Sequence, residues 1–116
     1  MDGDIYQARA RGTAIYVDSV PPMDKDDVRI VYTVLGLMGE LGEFAEKLKK
    51  RLRGGENLMT LCEDPAIKGE LGDIAWYFSQ VCTELGFSVN EVLEANVAKL
   101  SDRKDRGVLH GEGDNR

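Results

Sequence analysis

The sequence predicts an all-α protein, a four-helix bundle with a long second helix and a polar C-terminal tail. Apolar residues recur every three or four positions through most of the chain, which is the period of an amphipathic helix. Capping residues, glycine and proline interrupt this period at helix boundaries, and no segment alternates with the period of two that marks a strand. A chain of 116 residues can bury one hydrophobic core, so we expect a single domain.

The first helix is predicted from Asp4 to about Tyr16, although Gly12 weakens its middle. A pair of prolines then predicts an extended connector over Val17 to Met23. The domain is thereby divided into an N-terminal helix and connector, a helical core, and a glycine-rich tail. These three segments are residues 1–23, 24–106 and 107–116.

The second helix is predicted to run from an N-cap at Asp24 to Arg53, where the Gly54-Gly55 pair ends it. Basic residues crowd its last turns, where the negative end of the helix dipole favours them. At about 1.5 Å per residue, a helix of this length spans roughly 43 Å. Its apolar positions, expected to face the core, are Val31, Leu35, Met38, Leu41, Ala45, Leu48 and Leu52.

Two further helices have clear start signals. Residues 54–64 are predicted as a loop, after which Asp64 caps a third helix that ends before Gly86. Ser88 begins a capping box for the fourth helix, which continues to about Arg106. The apolar positions of the fourth helix are Val89, Val92, Leu93, Val97 and Leu100.

Composition excludes several classes of function. The net charge of −6 disfavours binding to nucleic acid or to an anionic membrane, both of which select basic surfaces. No apolar run approaches the roughly 20 residues that span a bilayer, and the start of the chain lacks the basic and apolar regions of a signal peptide. The sequence therefore predicts a cytoplasmic protein that binds neither nucleic acid nor a membrane.

A seven-residue phrase occurs twice, as GELGEFA at residues 39–45 and as GELGDIA at residues 69–75. Each copy places two carboxylates three residues apart, on one face of a helix. On both helices these acids border the apolar stripe and have glycines beside them, which leave room for a close neighbour. A single such pair is commonly a solvated face, but two matching copies on antiparallel helices favour a shared site. The four acids are Glu40, Glu43, Glu70 and Asp73.

The ligand types indicate which metal these acids would hold. Four clustered carboxylates repel one another, and a hard cation is the simplest way to neutralise them. Oxygen ligands without histidine or cysteine suit Mg²⁺, with Mn²⁺ as a substitute, and not zinc. A di-iron bundle requires Glu-x-x-His pairs, but the only histidine, His110, lies in the tail.

A basic strip on the fourth helix supplies the complementary charge. Asn96, Lys99, Arg103 and Arg106 follow one another at helical spacing, and a metal with open positions commonly binds a phosphate. The alternative is a hydrogen-bonded core asparagine with basic neighbours that extend to solvent. Tyr77 projects between the acids of the third helix and is a candidate nucleotide contact. Trp76 is expected in the core, and weaker candidates for base contacts are Tyr6 and Gln7.

These motifs resemble those of the MazG-type nucleotide pyrophosphohydrolases, an all-α NTP pyrophosphatase superfamily whose signature is ExxE followed by ExxD. The two halves of the signature are residues 40–43 and 70–73, with 26 residues between them. The resemblance extends over roughly residues 28–116. Other matching segments are Gly36-Leu37-x-Gly39-Glu40, Ala45-Glu46-Lys47, Gly72-Asp73-Ile74-Ala75-Trp76-Tyr77, Glu84-Leu85-Gly86, Asn96-x-x-Lys99-Leu100 and the glycine-rich ending after Arg106.

The resemblance implies Mg²⁺-dependent hydrolysis of a (deoxy)nucleoside triphosphate to the monophosphate and pyrophosphate, by a metal-activated water that attacks the α-phosphorus. It assigns the metal to the four acids and the nucleotide to Asn96 and Lys99, with Tyr77 as a further contact. Glu43 is our candidate for the general base that accepts the proton of the water. The resemblance also implies a homodimer or a tetramer built from dimers.

Two alternatives remain open at the level of sequence. One is a related pyrophosphatase with a narrow substrate, such as dUTP or phosphoribosyl-ATP. The other is a non-catalytic acidic helical module that acts in interaction or regulation. The first would show its narrow preference in a substrate panel, whereas the second would release no pyrophosphate from any nucleotide.

Overall fold

The computed structural model describes residues 1–20, 27–111 and 113, apart from the side chain of Asp27. All regular structure in these residues is helical, which confirms the all-α prediction. The four predicted helices correspond to α1, α3, α4 and α5, and two short helices lie between them. The elements are α1 (Gly3–Arg11), α2 (Tyr16–Ser19), α3 (Asp27–Arg53), a 3₁₀ helix (Leu58–Glu63), α4 (Pro65–Leu85) and α5 (Val89–Asp105).

The N-terminal region corrects the prediction of one helix up to Tyr16. Helix α1 ends at Arg11, and the hydroxyl of Thr13 then donates to the Ala10 carbonyl in the last turn of the helix. Trp76 Nε1 donates to the same hydroxyl over 2.8 Å, which anchors this turn to α4. The predicted connector begins with the helical turn of α2, and its prolines lie outside the described residues, as does the predicted cap at Asp24.

Helices α3 and α4 form the central antiparallel pair. Arg51, near the end of α3, forms an ion pair with Asp64, which caps the start of α4. The Asp64 side chain also accepts from the backbone N–H of Ala66 at 2.8 Å, as its predicted N-cap role requires. The segment predicted as a loop over residues 54–64 contains the 3₁₀ helix, whose first turn is capped by the side chain of Asn57.

Helix α1 holds the corner between α4 and α5. Gly86 ends α4 in the left-handed conformation, and Ser88 caps α5 by accepting from Glu91 N, so both predicted signals are confirmed. Gln7 donates to the Phe87 carbonyl and accepts from Val89 N, each over 2.9 Å. Both ends of its amide are therefore engaged in this corner, and Gln7 has a packing role.

The apolar face of α3 lies elsewhere than predicted. Val31, Leu35 and Met38 are exposed, as are Leu41 and Leu52, so the expectation that this stripe faces the core of the chain is wrong. Helix α3 instead packs on α4 through small and polar positions on its other side, including the fully buried Thr33.

Helix α5 also leaves its predicted apolar face exposed. It packs chiefly against α1 and leaves Leu93, Val97 and Leu100 exposed. Asn96, expected within an apolar sector of the core, is exposed on the same face. Both long apolar faces of the chain are therefore open. No described helix has the combination of length and hydropathy needed to cross a bilayer.

Candidate metal centre

Three of the four predicted metal ligands converge where α3 and α4 face each other. Glu40 and Glu43 lie three residues apart on α3, and Glu70 projects from α4 opposite them. One carboxylate oxygen from each lies within 4.8 Å of those of the other two. The antiparallel packing of two helices that carry the same acidic phrase produces this triad.

The triad leaves buried oxygen atoms without partners. Glu70 is only 8% exposed, and its Oε2 is buried with no hydrogen-bond partner among the described residues, as is Oε2 of Glu40. A buried carboxylate oxygen without a partner destabilises the fold. The donor set consists of oxygen atoms alone, which Mg²⁺ and Mn²⁺ prefer. The residues present therefore fit a hard divalent cation held by Glu40, Glu43 and Glu70.

The pKa of Glu40 reflects the negative charge that the triad concentrates in a small space. Burial raises the pKa of Glu40 above its ordinary value, and the negative charges of Glu43, Asp73 and Glu70 raise it further. A cation bound here would reverse that effect, since it would favour the ionised carboxylates. A bound cation would therefore stabilise this site more than it would stabilise a row of solvated acids.

Asp73, the fourth predicted ligand, is exposed and contributes no oxygen to the triad. Asp73 is nevertheless close enough to act on Glu40 and Tyr6. Burial is the main reason why the pKa values of these two groups are raised, and the negative charge of Asp73 raises both further. Asp73 thus lies at the rim of the centre, next to α1. Tyr6, a weaker candidate for a base contact, lies on the same side.

Lys47 is a member of the site that sequence reasoning missed. Its Nζ lies 3.1 Å from Glu70 Oε1. A positive charge on α3, the helix that carries Glu40 and Glu43, therefore lies beside the triad. The sequence predicted only a favourable interaction with the helix dipole for Lys47. The available signal was its spacing, since it follows Glu43 by four residues and Glu40 by seven.

Tyr77 packs between α4 and α3, against Gly36. A Cβ added at Gly36 would overlap the Tyr77 ring, so the ring lies directly against the backbone of α3. Trp76 meets Tyr77 edge-on with ring centroids 4.9 Å apart. Burial raises the pKa of Tyr77, and Tyr32 and Glu40 add to the effect, which places its hydroxyl beside the acids.

The glycines of the repeated phrase itself have a different environment from Gly36. Apart from the adjacent backbone of its own helix, no atom of the described residues lies within 4 Å of a Cβ added at Gly39, Gly42, Gly69 or Gly72. The space predicted beside the acids is thus filled at Gly36 and open at these four positions.

The residues of the predicted phosphate-binding strip lie along α5 and at its end. Asn96 and Lys99 are exposed on α5, and no hydrogen bond or ion pair within the described part of the chain joins either to the acids. Arg103 is buried, at 4% exposure, and Arg106 donates to Asp102 Oδ2 over 2.9 Å.

Comparisons with known proteins agree with this geometry. The model of the family described as the MazG nucleotide pyrophosphohydrolase domain matches residues 31–108, which include all four acids and the whole of α5. The "Gene 37 protein" of Mycobacterium phage L5 is 42% identical over 117 residues, covering all of both chains. No solved structure matches the chain. With the family match over two thirds of its length, the chain belongs to the MazG nucleotide pyrophosphohydrolase family.

Proposed function

We propose that this protein hydrolyses (deoxy)nucleoside triphosphates to the monophosphate and pyrophosphate, with Mg²⁺ as the cofactor and Mn²⁺ as a substitute. The observation that carries the proposal is the carboxylate triad with its two unpartnered oxygen atoms on Glu40 and Glu70. Family membership gives the class of reaction, and this triad supplies the cation site that the reaction needs. Because nucleoside triphosphates are used in the cytoplasm, we propose that the protein acts there.

The reaction consumes one water. Its oxygen forms a bond to the α-phosphorus while the bond from that phosphorus to the bridging oxygen of the β-phosphate breaks, so that pyrophosphate leaves. When bound, the cation would neutralise phosphate oxygens and lower the pKa of a water. Glu43 is exposed within the triad, which suits it to accept the proton of the attacking water. Asp73 at the rim would complete the metal ligands as the substrate enters.

Recognition of the nucleotide is proposed for Asn96 and Lys99, with Tyr77 as a contact beside the acids. Arg103 and Arg106 would complete the strip at the end of α5, the first from a buried position. A cationic strip stabilises the negative charge that develops on the leaving pyrophosphate.

The assembly proposed for this activity is a homodimer, or a tetramer built from dimers. The support is the open apolar faces of α3 and α5, since contiguous exposed apolar surface is typical of a protein–protein interface. Asn96 lies within the open face of α5, so a second copy seated there would also bring Asn96 and Lys99 into an enclosed site. Each pocket would then combine the acids of one chain with the strip of the other.

The experiment that tests the function is release of pyrophosphate from the common ribo- and deoxyribonucleoside triphosphates, with Mg²⁺ and with Mn²⁺. Glu43→Gln and Asp73→Asn are expected to abolish turnover while the helical circular dichroism signal is retained. Glu46→Gln is the matched control, because Glu46 is on the same helix but pairs with Lys49 outside the triad. Full activity of either site variant would refute the assignment, and dUTP as the sole substrate would favour the narrow-substrate alternative.

A further inference from the structure

Lys47 lies on the carboxylate face of α3, beside the candidate metal centre. It shares one stripe of the helix with Glu40 and Glu43, at spacings of seven and four residues. Its ammonium reaches across to α4, where Nζ lies 3.1 Å from Glu70 Oε1. The chain therefore holds its own cation against one of the three carboxylates that would bind the metal.

This ion pair neutralises only part of the triad. A lysine carries one positive charge, while three ionised carboxylates carry three negative charges. Within the part of the chain that the structure describes, Glu70 Oε2, the other oxygen of the same carboxylate, is buried without a partner, and so is Glu40 Oε2. A divalent cation with several open coordination positions would satisfy these atoms more fully than the ammonium does.

Lys47 also has room to move away from the triad. Its side chain is 41% exposed, whereas that of its partner Glu70 is 10% exposed. The flexible four-carbon stem of a lysine lets the ammonium reach a new acceptor without movement of the backbone. An ammonium released from Glu70 would stay within one side-chain length of the centre, on the side open to solvent.

We propose that Lys47 is the internal counter-ion of the metal-free centre, that metal binding displaces it from Glu70, and that it then contacts the polyphosphate of the nucleotide. The first two steps concern the metal alone. The third step rests on the proposed function, because it requires a nucleotide at the centre.

Lys47→Met tests the counter-ion role, with Lys49→Met as its matched control. Lys49 is on the same helix and forms an ion pair of 2.9 Å with Glu46, away from the triad, so both variants remove one charge and one ion pair. In the presence of a chelator, Lys47→Met should unfold at a lower temperature than the wild type, and Mn²⁺ should restore its stability. Calorimetric titration of the nucleotide-free protein should show Mn²⁺ bound roughly fivefold or more tightly by Lys47→Met, with Lys49→Met matching the wild type.

The opposite results would overturn the proposal. Equal Mn²⁺ affinity in Lys47→Met and the wild type would show that the lysine does not compete with the metal, and weaker affinity would show that it supports the metal site instead. At saturating Mn²⁺, the KM for a nucleoside triphosphate should rise in Lys47→Met but not in Lys49→Met; an unchanged KM would refute the polyphosphate contact. If no nucleotide is hydrolysed, the proposed function fails, while the Mn²⁺ titration still decides the counter-ion role.

Discussion

The Tyr77 ring of α4 lies against the backbone of Gly36 in α3, at a point where any side chain would overlap the ring. This contact lies one helical turn from Glu40 on α3 and one turn from Asp73 on α4. Trp76 packs edge-on against the same ring and limits its movement. The distance between the two acid-bearing helices is therefore set next to the metal centre by a glycine.

Gly36→Ala is expected to destabilise the protein by about 1–3 kcal/mol, because the added methyl group must push Tyr77 and α4 away. The same displacement would separate Glu70 from Glu40 and Glu43 and so weaken Mg²⁺ binding. Urea unfolding in a chelator measures the stability, and the rise in unfolding temperature on addition of Mg²⁺ measures the binding.

Gly42→Ala is the matched control for this substitution. Apart from the adjacent backbone of its own helix, a Cβ added at Gly42 meets no atom of the described residues within 4 Å, so the alanine should leave stability unchanged or raise it by up to about 1 kcal/mol through its higher helix propensity. Equal stability of the two variants would contradict the spacing role of Gly36.

The parts of the fold that could be predicted from sequence depend on local chemistry. Asp64 and Ser88 cap α4 and α5 as predicted, since a cap needs only its own side chain and the next turn of backbone. The end of α1 at Arg11 was mispredicted because Gly12 alone is a weak stop, and the turn is fixed by a bond from Trp76, distant in sequence. The apolar period of α3 indicated a buried face but carried no information on what covers it.

The candidate site likewise has features that could be predicted from the sequence and features that could not. The acids were recognisable because their spacing on each helix is local, and the repeat suggested that the two pairs meet. The register that brings oxygens of Glu40, Glu43 and Glu70 within 4.8 Å of one another is a property of how α3 packs on α4, and so is the ion pair of Lys47 with Glu70. Such contacts have no signature in a single sequence, so the counter-ion was missed although its spacing was visible.

Glu84 is predicted to be the main polar anchor between α4 and the N-terminal region. Its Oε1 accepts from Arg11 Nη1 over 2.8 Å and from the Tyr16 hydroxyl over 2.6 Å. Glu84→Gln should reduce the free energy of unfolding by about 1.5–3 kcal/mol, since hydrogen bonds to a charged, mostly buried group are lost or weakened. Glu46→Gln, in an exposed pair, should change it by less than about 1 kcal/mol in the same urea titration. A Glu84 variant as stable as the wild type would contradict this anchor.

The raised pKa of Glu40 predicts an unusual pH dependence of stability. An acid whose pKa is higher in the folded protein stabilises the fold below its unfolded-state pKa, and this contribution is lost as the pH rises through the folded-state value. The metal-free wild type loses this contribution progressively as the pH rises, whereas Glu40→Gln has no carboxyl group to ionise. In a chelator at neutral pH, Glu40→Gln should therefore unfold at a higher temperature than the wild type.

Two further measurements complete this prediction. The difference between Glu40→Gln and the wild type should disappear below about pH 4, where a glutamate is protonated in both states. Mg²⁺ at neutral pH should stabilise the wild type and have little effect on the variant. A metal-free variant less stable than the wild type at neutral pH would show that the triad is not under electrostatic repulsion.

Val97 tests the proposed pairing of two chains. It is 63% exposed on the open face of α5, so Val97→Asp should leave the single chain folded while placing a charge in a face that a second copy would cover. Light scattering should then show a monomer, and the activity should fall because Asn96 and Lys99 no longer reach the acids of another chain. Met59→Asp, at an exposed apolar position on the 3₁₀ helix, should keep the wild-type mass and activity. A Val97→Asp protein that stays a dimer would mean that α5 is not the interface, and a fully active monomer would place the whole nucleotide site within one chain.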